Sequence, residues 1–241
     1  KVFPNGLRKM GDGQTEHLFE VRQHRNGTYY LYKDKRKITF GKKKEIFFGF
    51  LVSHIRMTIA EYAREKVFLH AGVVGWRGKA IVIPAWSFCG KTTLVAELIR
   101  LGAEYFSDEY AVLDSEGRVH PFPKTLSVRP KEGEYGQVEF SAETFGAVTG
   151  KAAIPVGMVL LTEYKSGAHW RPRRLSPGKG VLEMLSHTIP IRYNPKFSLK
   201  VLNNTVNRAI IVKTKRGEAE EFAIKLLSFF ENGIPQGFIK L

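Results

Sequence analysis

Gly90-Lys91-Thr92 stands where an apolar run gives way to a helix-forming run in IVIPAWSFCGKTTLVAELIR, residues 81 to 100. The first N–H groups of a helix have no carbonyl partner within it, and the aligned peptide dipoles add partial positive charge there. A loop ending in G-K-T at such a joint can wrap phosphates in backbone amides. In that arrangement Lys91 reaches the β- and γ-phosphates of a nucleotide, and the Thr92 hydroxyl is placed to ligate Mg2+. The nucleotide-binding span is Ala85, Trp86, Ser87, Phe88, Cys89, Gly90, Lys91, Thr92 and Thr93. Ala85 stands where the usual pattern has its first glycine. With alanine allowed, a chance match in a chain of this length has a probability of roughly a few per cent, so context must carry part of the argument.

That context agrees with the motif. KAIVIP reads as a strand, and KTTLVAELIRLG reads as a helix with Leu94, Val95, Leu98 and Ile99 on one side and Gly102 as its stop. Phosphoryl transfer also needs a group that orients or deprotonates the attacking hydroxyl. Asp108-Glu109, in AEYFSDEYAVLD, lies a helix and a short strand after the loop, which returns the chain toward the phosphates. Two carboxylates there can divide the work, one binding Mg2+ and one accepting a proton.

The elements around these residues read as an α/β fold with a mixed sheet. HLFEVRQ, a turn at Asn26-Gly27, TYYLYK and KITF form a β-meander over 16 to 40, and KEIFFGFLVSHIRMTIAEYARE is a long helix. We expect residues 1–66 to pack on a core domain formed by 67–241. VFLHAGVVGW and KAIVIP flank Arg77-Gly78 as a hairpin feeding the loop. GRVHPFPKTLSVRP is rich in turn residues, and 131 to 151 has little periodicity and reads as a mobile loop or lid. AIPVGMVLLTEY and AIIVKTKRG read as strands. LSPGKGVLEMLSHTI, FSLKVLNNTVNR and EAEEFAIKLLSFFENG hold helices, the last closed by Gly233.

Composition narrows the remaining possibilities. The 241 residues suit one large domain or a domain with a small extension, and 38 Lys and Arg against 23 Asp and Glu give a net charge of +15. The excess sits in runs such as KDKRK, GKKKE and RPRR, which read as solvated faces without an interleaved nucleic-acid motif. They would still attract polyanionic substrates. No apolar run is long enough to span a membrane, and we expect a cytoplasmic protein with neither membrane nor nucleic-acid partners. The one cysteine, Cys89, excludes an internal disulfide and reads as a small residue that fits the loop.

His70-Ala71-Gly72, the hairpin, the G-K-T-T loop, LIRLGAEYFSDEYAVLD and IPVGMVLLTEY together resemble the HPr kinase/phosphorylase-related serine kinases, whose core is similar to that of phosphoenolpyruvate carboxykinase. The resemblance covers roughly residues 67 to 232. It implies an ATP- and Mg2+-dependent kinase with Asp108 as general base, Lys91 and Thr92 on phosphate and metal, Glu109 beside the metal with Asp108 and Thr92, and His70 orienting the acid or a phosphate. Compact relatives act on seryl hydroxyls of peptides such as lasso-peptide precursors, which implies a peptide or small-protein acceptor, and the family's assembly implies a homo-oligomer. Glu109 stands where the family commonly has aspartate, and the front section does not resemble the amino-terminal domain of full-length members. Lys124, Arg129, Arg171, Arg173 and Arg174 are candidates for clamping phosphate or substrate. Two other readings use the same residues: a kinase of free hydroxyl compounds, and a nucleotide-binding regulatory module without catalysis.

Overall fold

The computed structural model describes residues 16–86, 89–128 and 138–232, and the chain separates into two compact units, Lys1–Tyr62 and Ala63–Leu241. In the first unit, β1 (Phe19–Gln23), β2 (Tyr29–Lys33) and β3 (Arg36–Gly41) form an antiparallel meander followed by α1 (Lys44–Tyr62). Its core includes Leu31 and Phe47, the latter stacked on Tyr29 at 5.3 Å. The β2–β3 turn is Asp34-Lys35, both at positive φ (50° and 67°), the geometry whose twist matches a two-residue hairpin. Asp34 accepts hydrogen bonds from the Leu18 N–H and the His17 ring, which hold it there.

The second unit opens with β4 (Val67–Trp76) and β5 (Lys79–Pro84), an antiparallel hairpin closed by Arg77 and Gly78. Then follow α2 (Lys91–Arg100), β6 (Glu104–Ser107), β7 (Tyr110–Leu113), β8 (Arg118–His120), β9 (Leu126–Val128) and β10 (Val138–Phe140). The chain continues through β11 (Ile154–Tyr164), β12 (Arg173–Arg174), α3 (Pro177–Leu185), α4 (Pro195–Arg208), β13 (Ile210–Arg216) and α5 (Ala219–Asn232). An eight-stranded sheet runs β12-β13-β11-β5-β4-β7-β8, with β6 also on β4. β11 is parallel to both β5 and β13, and the pairings of β4 are antiparallel, so the sheet is mixed.

Helices cover both faces. Ile81, Ile83, Met158 and Leu160 pack with Leu94 and Leu98 of α2 and Phe222 and Leu226 of α5. Val82, Val159 and Leu161 point the other way, onto Met184 of α3 and Val201, Leu202 and Val206 of α4. A strand buried on both faces needs apolar residues at every position, which is why VFLHAGVVGW and KAIVIP read as continuous apolar runs. On β4, Val74 lies on the α2 face, and the period of two puts Gly72 and His70 there as well.

Two stretches differ from the sequence reading. Pro121 and Pro123 make 118–128 look like turns, yet β8 and β9 form on either side of them. Residues 129–137, with Arg129, lie outside the described residues, as do Ser87, Phe88 and Gly233. The described end of the expected lid is ordered secondary structure: β10 pairs with β9, and Ala142–Phe145 form a 3-10 turn.

Candidate functional site

Gly90 occupies the N-cap of α2 in the left-handed region (φ 72°, ψ 21°), and no side chain caps the helix. The N–H groups of its first turn therefore keep their positive field for an external acceptor. A Cβ on Gly90 would run into the Arg216 guanidinium, so glycine is required twice over, by φ and by space. Arg216, at the end of β13 and only 3% exposed, donates through Nη2 to the carbonyl oxygens of Cys89 (3.2 Å) and Gly90 (2.8 Å). Its guanidinium also lies over the Tyr164 ring, 5.3 Å from the centroid. Arg216 thus ties the loop's carbonyls to the sheet. Burial pushes its pKa down from the usual arginine value.

Lys91 is 8% exposed, which is unusual for a lysine with no ion pair to a carboxylate among the described residues. Its stem passes over β4, where a Cβ on Gly72 would sit 3.1 Å from Lys91 Cγ and 2.7 Å from Val95 Cγ2. Gly72 is the clearance that lets α2 and its lysine approach the strand. His70, two residues earlier, donates from Nδ1 to the Ala85 carbonyl at 2.6 Å, since a carbonyl can only accept. The lone pair on Nε2 then faces Lys91 Nζ at 3.5 Å. Burial, and then the Lys91 charge, push the His70 pKa down to about 4, so the ring is neutral near pH 7. Burial also lowers the pKa of Lys91, against the pull of Asp108 and Glu109.

Asp108 and Glu109 occupy the turn between β6 and β7. The fully buried Ser107 hydroxyl accepts from the N–H groups of Glu109 (3.1 Å) and Tyr110 (3.0 Å) and so sets that turn. Thr92 Oγ1 donates to Asp108 Oδ2 at 2.6 Å, while the Asp108 Oδ1 atom is buried and has no hydrogen-bond partner among the described residues. Desolvation raises the pKa of Asp108, with Lys91 and Thr92 opposing it. Glu109 Oε2 is 3.4 Å from Lys124 Nζ, and the Tyr105 hydroxyl fixes the Lys124 backbone by donating to its carbonyl at 2.6 Å.

Lys91, Thr92, Asp108, Glu109 and His70 therefore gather at the start of α2, with Lys124 beside them. Trp86 and Cys89 line an adjoining cavity, where the Trp86 ring packs on His187 at 4.9 Å between centroids and the His187 carbonyl accepts from the His70 N–H of β4 at 2.8 Å. Arg171 and Arg173 line the same cavity, away from Asp108, and Arg174 pairs with Val212 on the sheet edge. Sequence reasoning missed Ser107, His187 and Arg216. Ser107 had a local signal, a serine immediately before a turn, whereas His187 and Arg216 had none.

No group of three or more His, Cys, Asp or Glu side chains able to hold a metal occurs among the described residues. Mg2+ does not need one, because it commonly takes one or two carboxylates and completes its shell with substrate phosphates and water. The orphaned Asp108 oxygen next to the Thr92 hydroxyl suits such a hard cation. No protein-family model matches the chain, and no curated protein is significantly similar to it. No described helix is long and apolar enough to cross a membrane.

Proposed function

We propose that the chain is a kinase that moves the γ-phosphoryl group of ATP to a hydroxyl, with a seryl hydroxyl of a peptide or small protein as the acceptor. The observation that carries this is the set of buried Lys91 with half-buried Thr92 and Asp108 at a helix start that no side chain caps. Phosphoryl transfer asks little of a protein beyond position and charge, and these residues supply both. The first-turn N–H groups of α2 hold the phosphates, and Lys91 balances the charge that builds on the β- and γ-oxygens. Neutral His70 presents a lone pair to Lys91 and keeps that ammonium in place without competing for the phosphate.

Thr92, Asp108 and Glu109 would hold Mg2+, which when bound neutralises phosphate oxygens. Asp108 accepts the proton of the attacking hydroxyl as the new O–P bond forms. The Pβ–O–Pγ bond breaks, and the nucleoside diphosphate leaves with its electron pair. A carboxylate whose pKa is raised by burial is the better base for this. Asp108 Oδ1 is shut off from solvent, so acceptor access requires the turn that carries it to shift.

That closure also favours a second reading, a nucleotide-binding regulatory module that transfers nothing. Labelled γ-phosphate from ATP, offered with Mg2+ to peptide and small-molecule fractions of a host extract, separates the two. The native chain should label an acceptor and Asp108→Asn should do so about a hundredfold less or worse. Equal labelling by both chains overturns Asp108 as the base, and binding of ATP with no labelled acceptor supports the module.

A further inference from the structure

The transferred phosphoryl group has two sides, and the sheet order distinguishes them. Its attacking and leaving oxygens lie roughly in line. Asp108 reaches the loop from the β4 side of β5, by way of β6 and β7. If Asp108 marks the attacking side, as the proposed function has it, the leaving group must point across β5 toward β11 and β13. A cavity of about 870 Å³ opens there, lined by Pro84 to Trp86 and Cys89 at the loop, by Leu161 to Glu163 near the end of β11 and by Lys213 to Lys215 near the end of β13. These are the carboxyl ends of the parallel strands, where open α/β sheets take their ligands, and the volume suits a small molecule.

The lining combines two chemistries. The Trp86 indole is 58% exposed, a large aromatic face left at the rim and backed by the His187 ring. Around it stand Lys165, Arg171, Arg173 and Lys215. Of the two carboxylates in the lining, Glu163 and Glu183, the second is paired with Lys213 at 2.5 Å. A ligand that satisfies both features carries a flat ring and several negative charges. An acidic peptide satisfies the cations but leaves the indole uncovered, and as an acceptor it would enter from the wrong side.

We propose, building on the kinase reading, that this cavity receives the nucleoside end of the donor's diphosphate half, with its base stacked on Trp86 and its α-phosphate toward the basic wall, while the β-phosphate stays at the start of α2. Trp86 then does the work of a base platform in a position where the phosphate-loop pattern sets no residue type.

Calorimetric titration of the full chain with ADP, with tripolyphosphate and with an oligoglutamate peptide tests this, using Trp86→Leu, Lys91→Ala and the double variant Arg171→Ala/Arg173→Ala. Base stacking predicts that Trp86→Leu weakens ADP about tenfold or more and leaves tripolyphosphate unchanged. Lys91→Ala should weaken both. Trp86 is largely exposed, so its replacement should leave the core intact, which circular dichroism of the variant checks. If Trp86→Leu binds ADP as the native chain does while Lys91→Ala does not, the cavity assignment fails and the loop reading stands. If the native chain binds neither ADP nor tripolyphosphate, both fail. Oligoglutamate that binds the native chain, is not displaced by ADP and is lost in the arginine double variant gives the cavity to an acidic partner and overturns the proposal.

Discussion

Buried Arg216 apart, the two sides of the Gly90-Lys91-Thr92 segment hold charge in opposite ways. On the β4 side, Lys91 is buried and Asp108 half-buried, each is placed by a named neighbour, and desolvation shifts both toward their neutral forms. On the β11–β13 side, Lys165, Arg171, Arg173 and Lys215 are exposed around an open cavity. The first arrangement costs folding free energy and gains orientation. The second costs little and gains attraction at a distance. A net charge of +15 therefore says less about chemistry than two side chains that have been taken out of water.

The largest test of this contrast is Asp108→Asn. Transfer should fall about a hundredfold or more, yet the thermal midpoint at pH 7 should stay level or rise, because the fold disfavours the ionised carboxylate it loses. A large fall in the midpoint would show that Asp108 stabilises the fold instead. Gly72→Ala comes next: the added methyl meets Val95 and Lys91, and overpacking of this kind costs about 1–3 kcal/mol in denaturant unfolding. An unchanged midpoint would mean that α2 can lift off β4 freely.

His70→Gln should show a smaller effect with a characteristic pH dependence. Burial holds the folded His70 pKa at about 4 against about 6.5 for a free histidine, so the unfolded chain takes up the proton first as pH falls. Stability owed to neutral His70 is fully present above about 6.5 and is lost as pH falls through about 4. The native chain should thus lose ground to the variant across that window, and parallel pH curves would place the ring in contact with water. Smallest of all, Lys165→Ala and Lys215→Ala should each alter stability by no more than about 0.5 kcal/mol, since both side chains are exposed. A clear loss of stability would show that the basic wall also supports the fold.

The sequence disclosed the β4 side far better than the other. The hairpin, the loop and α2 follow one another without a break, and their apolar periods and turn residues are local signals. The Asp108–Glu109 turn is one helix and one short strand further on, close enough to place by counting elements. The cavity is assembled from β5, β11 and β13, whose adjacency depends on parallel crossovers that leave no mark in any short window. His187 reads as part of a helical stretch, and only the fold brings its ring to Trp86. The Asp34-Lys35 turn was hidden for a different reason: without glycine, its positive φ angles are sustained by hydrogen bonds from Leu18 and His17, sixteen and seventeen residues away. β8 and β9 were hidden by the prolines between them, which mark a connection and were read as the whole segment.

Arg216 binds the carbonyls of Cys89 and Gly90 across 127 and 126 residues of chain. On the ribosome the loop is made long before its clamp. Until β13 has emerged and docked, the carbonyls of Cys89 and Gly90 lack the Arg216 donor, and a chain cut short between Thr92 and Arg216 keeps the motif but lacks the side chain that sets it. The geometry of the G-K-T segment is therefore a property that the nascent chain acquires only after a further 126 residues have followed Gly90.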